Sequence, residues 1–129
     1  DTCTTPPVIT LLTASPSTLW PPNHQMVAVT LSTEVNATCG DSYLVTSITS
    51  VTSNEPAGSD AVANGQAVIT GDLALNLKAE RNGNGNGRIY TITVQAYDNY
   101  GNIATAAVDV TVPHDRSYAR SQLKRKPKR

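Results

Sequence analysis

The chain has 129 residues, with ten basic and ten acidic side chains, two histidines, two cysteines and no phenylalanine. Its length fits one domain large enough to bury a core of its own. No stretch reaches the roughly 20 consecutive apolar residues of a membrane-spanning helix, and two thiols alone cannot complete a tetrahedral zinc site.

Threonine, valine and serine are abundant, and the β-branched residues among them favour a pleated surface over a helix. Seven segments alternate in the manner of strands. The first spans residues 7–13. The second, 25–35, sets Val27, Val29, Leu31, Thr33 and Val35 on one apolar face. The third, 43–52, sets Leu44, Thr46, Ile48 and Ser50 against Val45, Ser47, Thr49 and Val51. Residues 54–65 read as a long loop. A short fourth strand at 67–70 reads as an edge. The fifth, 73–80, turns Leu73, Leu75, Leu77 and Ala79 to one side. The sixth, 88–97, separates Tyr90, Ile92, Val94 and Ala96 from Ile89, Thr91, Thr93, Gln95 and Tyr97. The seventh, 103–112, turns Ala104, Ala106, Val108, Val110 and Val112 inward. Glycine and asparagine at 82–87, and Asp98-Asn99-Tyr100-Gly101-Asn102, supply turns that tolerate positive φ. About seven antiparallel strands with turns at this spacing predict an all-β sandwich over residues 1–115, followed by a basic tail over 116–129.

Cys3 precedes the first predicted strand and Cys39 follows the second. If those strands run antiparallel, both cysteines reach the same pole. A disulfide there pins the N-terminal segment and points to an oxidising compartment; the competing reading is two buried free thiols. An aspartate at position 1 fits a processed or excised N-terminus.

Catalytic motifs are missing. The two histidines, His24 and His114, have no evident partner, and there is no nucleophile elbow, metalloprotease helix motif or phosphate loop leading into a helix. The chain therefore reads as a non-enzyme. Calcium is the small ligand best matched to its side chains, since hard cations take carboxylate, amide and carbonyl oxygens. Asp1, Asp41, Asp98, Asn99 and Asn102 fall at one pole of a sandwich and form the first candidate set, with a weaker one at Glu55, Asp60 and Asp72. The competing reading has Asp98 and Asn102 bonding only their own turn. Trp20, Asn23 and His24 also read two ways. They are a platform for a sugar ring or a partner protein, or Trp20 plugs the open end of the sandwich while Asn23 or His24 holds the backbone. Arg88 is placed to meet Glu80 or Asp72 in a surface ion pair. Asn36-Ala37-Thr38 fits the glycosylation sequon.

Several strings together resemble a known type of module. They are Thr5-Pro6-Pro7-Val8-Ile9, Ala14-Ser15-Pro16-Ser17-Thr18-Leu19-Trp20-Pro21-Pro22-Asn23-His24-Gln25-Met26, Ser53-Asn54-Glu55-Pro56, Ile69-Thr70-Gly71-Asp72-Leu73, Leu77-Lys78-Ala79-Glu80-Arg81 with Asn86-Gly87-Arg88, and Val112-Pro113-His114-Asp115. The series resembles a bacterial extracellular immunoglobulin-like module found near the C-terminal ends of large secreted or surface proteins. The Asp98–Asn102 turn is similar to that of HYR-like (hyalin-repeat) domains. The resemblance implies a non-catalytic adhesive or accessory module, with no ligand assigned.

Charge is divided unevenly. Residues 1–113 carry three basic against nine acidic side chains, whereas Arg116, Arg120, Lys124, Arg125, Lys126, Lys128 and Arg129 crowd the tail. Such a segment reads as a polyanion-binding or assembly element. The leading expectation is thus an extracellular or cell-surface module for adhesion or assembly, with calcium as the candidate stabilising ion. Its partners would be a protein or a polysaccharide, or a neighbouring copy or domain reached through the tail. Specific nucleic-acid binding and a membrane span are not expected. A carbohydrate-binding accessory module of a secreted hydrolase, and a filament subunit joined through the tail, are the alternatives.

Overall fold

A computed structural model describes residues 3–39, 44–55, 57–81 and 87–113. The expectations that fall on Asp1, Asp41 and the tail residues Arg116, Arg120, Lys124, Arg125, Lys126, Lys128 and Arg129 lie outside the described residues.

Among the described residues, eight strands form two antiparallel sheets: β1 (Val8–Ser15), β2 (Met26–Asn36), β3 (Leu44–Asn54), β4 (Ala57–Asp60), β5 (Ala67–Gly71), β6 (Ala74–Lys78), β7 (Gly87–Asp98) and β8 (Ile103–Pro113). One sheet has the order β1-β2-β6-β5 and the other β4-β3-β7-β8. No helix among these residues is long and apolar enough to cross a membrane.

Alternation explains most of this. Val29 and Leu31 of β2, with Leu75 and Leu77 of β6, line the inner face of the first sheet. Ile48 and Val51 of β3, Tyr90, Ile92 and Val94 of β7, and Val110 and Val112 of β8 line the second. They form one core between the sheets. With no phenylalanine to fill it, the core is closed by small, branched side chains and by Tyr90. Its ring is buried and its hydroxyl donates to the Lys78 carbonyl at 2.7 Å, which ties the two sheets together. Burial pushes the Tyr90 phenol above its usual pKa, and the nearby Arg88 only partly opposes this.

Two expectations are corrected. Residues 57–60 form β4, not part of a loop, and pair with the end of β3. Ala-Gly-Ser-Asp contains no β-branched or aromatic residue, so composition does not mark it as a strand. The third predicted strand does not keep one alternation along its length, because β3 changes phase. Its register shifts between Ile48 and Ser50, so Ile48 and then Val51 and Ser53 are buried. A bulge of this kind moves the inward set by one residue.

The chain crosses between sheets at both long edges. After β1, the N–H of Leu19 donates to the Thr111 carbonyl (2.8 Å) and the N–H of Thr111 to the Ser17 carbonyl (3.0 Å). Thr18 and Thr111 thereby form a parallel bridge on β8. On the far side the turn after β4 leads into β5, and the N–H of Ile48 donates to the Asp72 carbonyl at 2.8 Å.

The Cys3–Cys39 disulfide forms as expected, with the Cα atoms 5.9 Å apart. Val8 pairs with Asn36, which brings the start of β1 beside the end of β2. Thr38 Oγ1 reinforces the pole, lying 2.9 and 2.8 Å from the carbonyls of Thr5 and Pro6. The bridge spans 36 residues of sequence, and chain-entropy reasoning assigns it about 3–4 kcal/mol. The double variant Cys3→Ser/Cys39→Ser is expected to lose about that much stability in urea unfolding while keeping its far-ultraviolet circular dichroism.

Candidate functional site: the two poles of the sandwich

One pole carries the Trp20–His24 loop above a buried ion-pair cluster. Trp20 follows Leu19, and the two residues face opposite ways. Leu19 is 1 % exposed and belongs to the core, whereas Trp20 is 36 % exposed. Leu19, not Trp20, is therefore the plug, because the backbone bond from Leu19 to Thr111 fixes the parity of the segment. The peptide bonds Ser15–Pro16 and Trp20–Pro21 are cis. Asn23 holds the backbone as expected, its Oδ1 accepting from the N–H of Gln25 at 3.1 Å. His24 has φ of 65°, a left-handed conformation uncommon outside glycine. It is held there by its N–H, which donates to the Ala79 carbonyl at 2.9 Å. Its ring is 70 % exposed, with Nδ1 3.2 Å from Glu80 Oε1.

Glu80 links this loop to the interior. Lys78 Nζ lies 3.4 Å from the same oxygen, and Arg88 Nη1 lies 3.9 Å from Glu80 Oε2. Burial works to raise the Glu80 pKa, but bonds from His24 and Lys78 and the Arg88 charge outweigh it and hold the carboxyl below its usual range. Arg88 is the larger departure from expectation. It is buried, it donates from Nε to Glu55 Oε1 at 3.2 Å, and its guanidinium lies 5.8 Å from the centre of the Tyr90 ring. Its partners are Glu55 and Glu80, not Asp72. Glu55 follows β3 and Glu80 follows β6, so Arg88 joins the ends of both sheets. Losing one partner of such a buried pair typically costs 3–5 kcal/mol, although the pair itself is weak evidence of net stability.

Asp98 and Asn102 occupy the opposite pole. Asp98 is buried, and both of its carboxylate oxygens are engaged. Oδ1 accepts from the backbone N–H of Tyr100 (2.9 Å) and of Asn102 (3.0 Å), and Oδ2 accepts from Asn102 Nδ2 (3.1 Å). The same amide donates to the Cys3 carbonyl at 2.8 Å and lies 3.6 Å from Cys39 Sγ. Burial by itself would raise the Asp98 pKa. The Asn102 side chain and the backbone N–H groups of Asn102 and Tyr100 outweigh it, so the carboxyl stays below its usual value. Asn99 sits exposed in the turn. The structure thus joins Asn102 to the disulfide-bonded cysteines directly, and Asp98 to them through Asn102.

The weaker acidic set divides among separate tasks. Glu55 pairs with Arg88, and Asp60 Oδ1 accepts from the N–H groups of Val62 and Ala63 in the turn after β4. Asp72 lies in the β5–β6 turn, bonded to Ile48 through its carbonyl. Among the described residues, no three His, Cys, Asp or Glu side chains come together in a set suited to a metal. No family model, curated protein or solved structure matches the chain.

Leu19→Ala is expected to cost about 3 kcal/mol of stability through the cavity it leaves, and Trp20→Ala about 1 kcal/mol. Chemical denaturation of the two variants measures the difference. The depressed Asp98 pKa implies stability present above the unfolded-state value of about 3.9 and lost as pH falls through the lower folded value. Asp98→Asn is accordingly expected to lower the urea midpoint at pH 7. The gap should narrow below about pH 4, where the wild-type carboxyl is also becoming neutral.

Proposed function

We propose that the chain is a non-catalytic, immunoglobulin-like module that works outside the cell in adhesion or surface assembly. The Cys3–Cys39 bridge carries this reading, because a disulfide of this kind persists in oxidising compartments. The strand orders support the immunoglobulin-like part. Counting β4 as an extra strand beside β3, β1-β2-β6-β5 and β3-β7-β8 follow the A-B-E-D and C-F-G sheets of that fold. The bridge joins the ends of the first two strands and does not pin the two sheets together, and the lone tryptophan lies in a loop. Both features set the domain apart from antibody domains.

The acidic side chains support the non-catalytic part. Glu55, Asp60, Glu80 and Asp98 each bond a turn or a cation of the domain itself. The described chain also begins and ends at opposite poles. Cys3 lies beside Asn102 at the start of β8, while Pro113 pairs with Gly87 at its far end.

A second reading, carbohydrate binding, is favoured by one observation. Trp20 and Pro21 are exposed side by side near the exposed ring of His24, and sugar rings stack on such surfaces.

Thiol trapping on the native protein in its source cells tests the first reading. Cys3 and Cys39 are expected to resist alkylation until a reductant is added, in material recovered outside the cytosol, and free thiols there would sink the extracellular assignment. A glycan array tests the second: binding abolished by Trp20→Ala supports it, and an empty array removes it.

A further inference from the structure

Basic side chains are placed unevenly on the described domain. They are Lys78, Arg81 and Arg88, and all lie at the pole of the Trp20 loop, where β6 ends and β7 begins. The acids are spread more widely. Glu55 and Glu80 share that pole and are matched there by Arg88 and Lys78. Glu34 in β2, Asp60 at the end of β4, Asp72 between β5 and β6, Asp98 at the end of β7 and Asp109 in β8 have no basic partner among the described residues. An anion thus meets uncompensated carboxylates over the rest of the described body, and cations at this pole. Pro113 pairs with Gly87, beside Arg88, so β8 ends at the same pole, and seven more basic residues follow it in the sequence.

The loop at this pole is exposed along its length, at Trp20, Pro21, Asn23 and His24. The N–H of Leu19 bonds Thr111 of β8 and that of His24 bonds Ala79 after β6, so the loop crosses the end of the sandwich. Trp20 and His24 are within about 14 Å of each other along the chain. Asn23 Oδ1 and His24 Nδ1 are engaged by Gln25 and Glu80, but no described residue bonds Asn23 Nδ2 or His24 Nε2. Lys78 Nζ lies 3.4 Å from the same Glu80 oxygen that His24 Nδ1 approaches at 3.2 Å, so the ammonium stands beside the imidazole. Lys78 has three donors, and its side chain is part exposed.

We infer that the Trp20 pole binds an acidic polysaccharide, one whose sugar rings carry carboxylate groups. A ring stacks on Trp20 and Pro21. Hydroxyl groups bond Asn23 Nδ2 and His24 Nε2, and a ring carboxylate meets Lys78 in the added field of Arg81. Charge then selects among sugars. A neutral chain gains stacking and hydroxyl bonds only, whereas an acidic chain also gains a charge-assisted bond, roughly twice as strong as a neutral one. The spread from Trp20 to Lys78 calls for a chain of rings, not a single one. Other polyanions fit less well. A single-stranded nucleic acid needs a basic groove and a row of stacking aromatics. Among the described residues Trp20 is the one exposed aromatic at this pole, and Glu80 sits between His24 and Lys78. That carboxylate accepts from sugar hydroxyls and repels phosphates. The inference rests on the carbohydrate reading above and adds the charge of the ligand.

An array of uronate polysaccharides, each printed beside its methyl-esterified form and beside neutral polymers, tests it with the full chain. The chain is expected to bind a uronate polymer and to lose on the order of tenfold or more on esterification, which removes the charge and keeps the ring. Trp20→Ala is expected to weaken uronate binding by about tenfold or more, and Lys78→Gln by about two- to fivefold. Neutral and esterified polymers bound as tightly as uronates overturn the inference and leave the carbohydrate reading standing. An empty array overturns both. Uronate binding that both variants retain in full also overturns it, and assigns the contact to the basic segment 116–129. Single-stranded DNA bound as tightly as uronate, with the same loss in Trp20→Ala, overturns it in favour of a nucleic-acid surface. Far-ultraviolet circular dichroism checks that the variants fold. Should Trp20→Ala fail to, Lys78→Gln carries the test alone, and uronate binding unchanged in it overturns the inference.

Discussion

Strand β7 turns every even-numbered side chain from Arg88 to Asp98 into the interior, and the rest of the molecule is arranged around that parity. It lies between β3 and β8, so it is supported on both sides along its length. Its middle, Tyr90 to Ala96, is core. Its two ends bury charge, and each charge is matched locally: Arg88 by Glu55 and Glu80, Asp98 by Asn102 and its turn. A slip of one residue would expose the core set and strand both ions on the wrong face. The poles are thus two ends of one constraint.

Much of this is legible in the sequence where alternation is undisturbed. The inward sets of β2, β6, β7 and β8 follow directly from period-two hydrophobicity. Arg88 shares its parity with Tyr90 and Ile92, so the signal for its burial was present, but a lone arginine beside a glycine-rich loop reads as solvated. β3 resists the same reading because a bulge switches its phase midway. β4 resists it because its residues have no strand preference of their own and are held by pairing with β3. The Leu19–Trp20 pair is a case of two large apolar neighbours of which only one can face inward. Size alone favours tryptophan, and the backbone bond to Thr111 decides for leucine. Trp20, Asn23 and His24 are brought onto one loop, as their spacing implies. Of the residues grouped as a calcium set, Asp98 and Asn102 meet, but as donor and acceptor to each other.

The polar bonds do structural work that apolar volume would do in a phenylalanine-rich sandwich. Tyr90 reaches across to Lys78, Arg88 bridges the ends of the two sheets, and Asn102 fastens the turn to the disulfide. Each bond is directional, so each fixes a register as well as adding stability. That suits a core built from short branched side chains, whose packing alone specifies geometry less sharply.

The disulfide also governs how the domain would respond to tension. A pull applied between Cys3 and Pro113 enters at one pole and leaves at the other, and the covalent bridge passes it from Cys3 straight to Cys39. Residues 4–38, with β1, β2 and the Trp20 loop, are thereby removed from the load path. Only residues 40–113 can lengthen, roughly 250 Å of extended chain in place of roughly 370 Å with the bridge open. The same bond that pins one pole thus acts as a stop on extension, and reduction would convert the domain from a short, stiff link into a longer one.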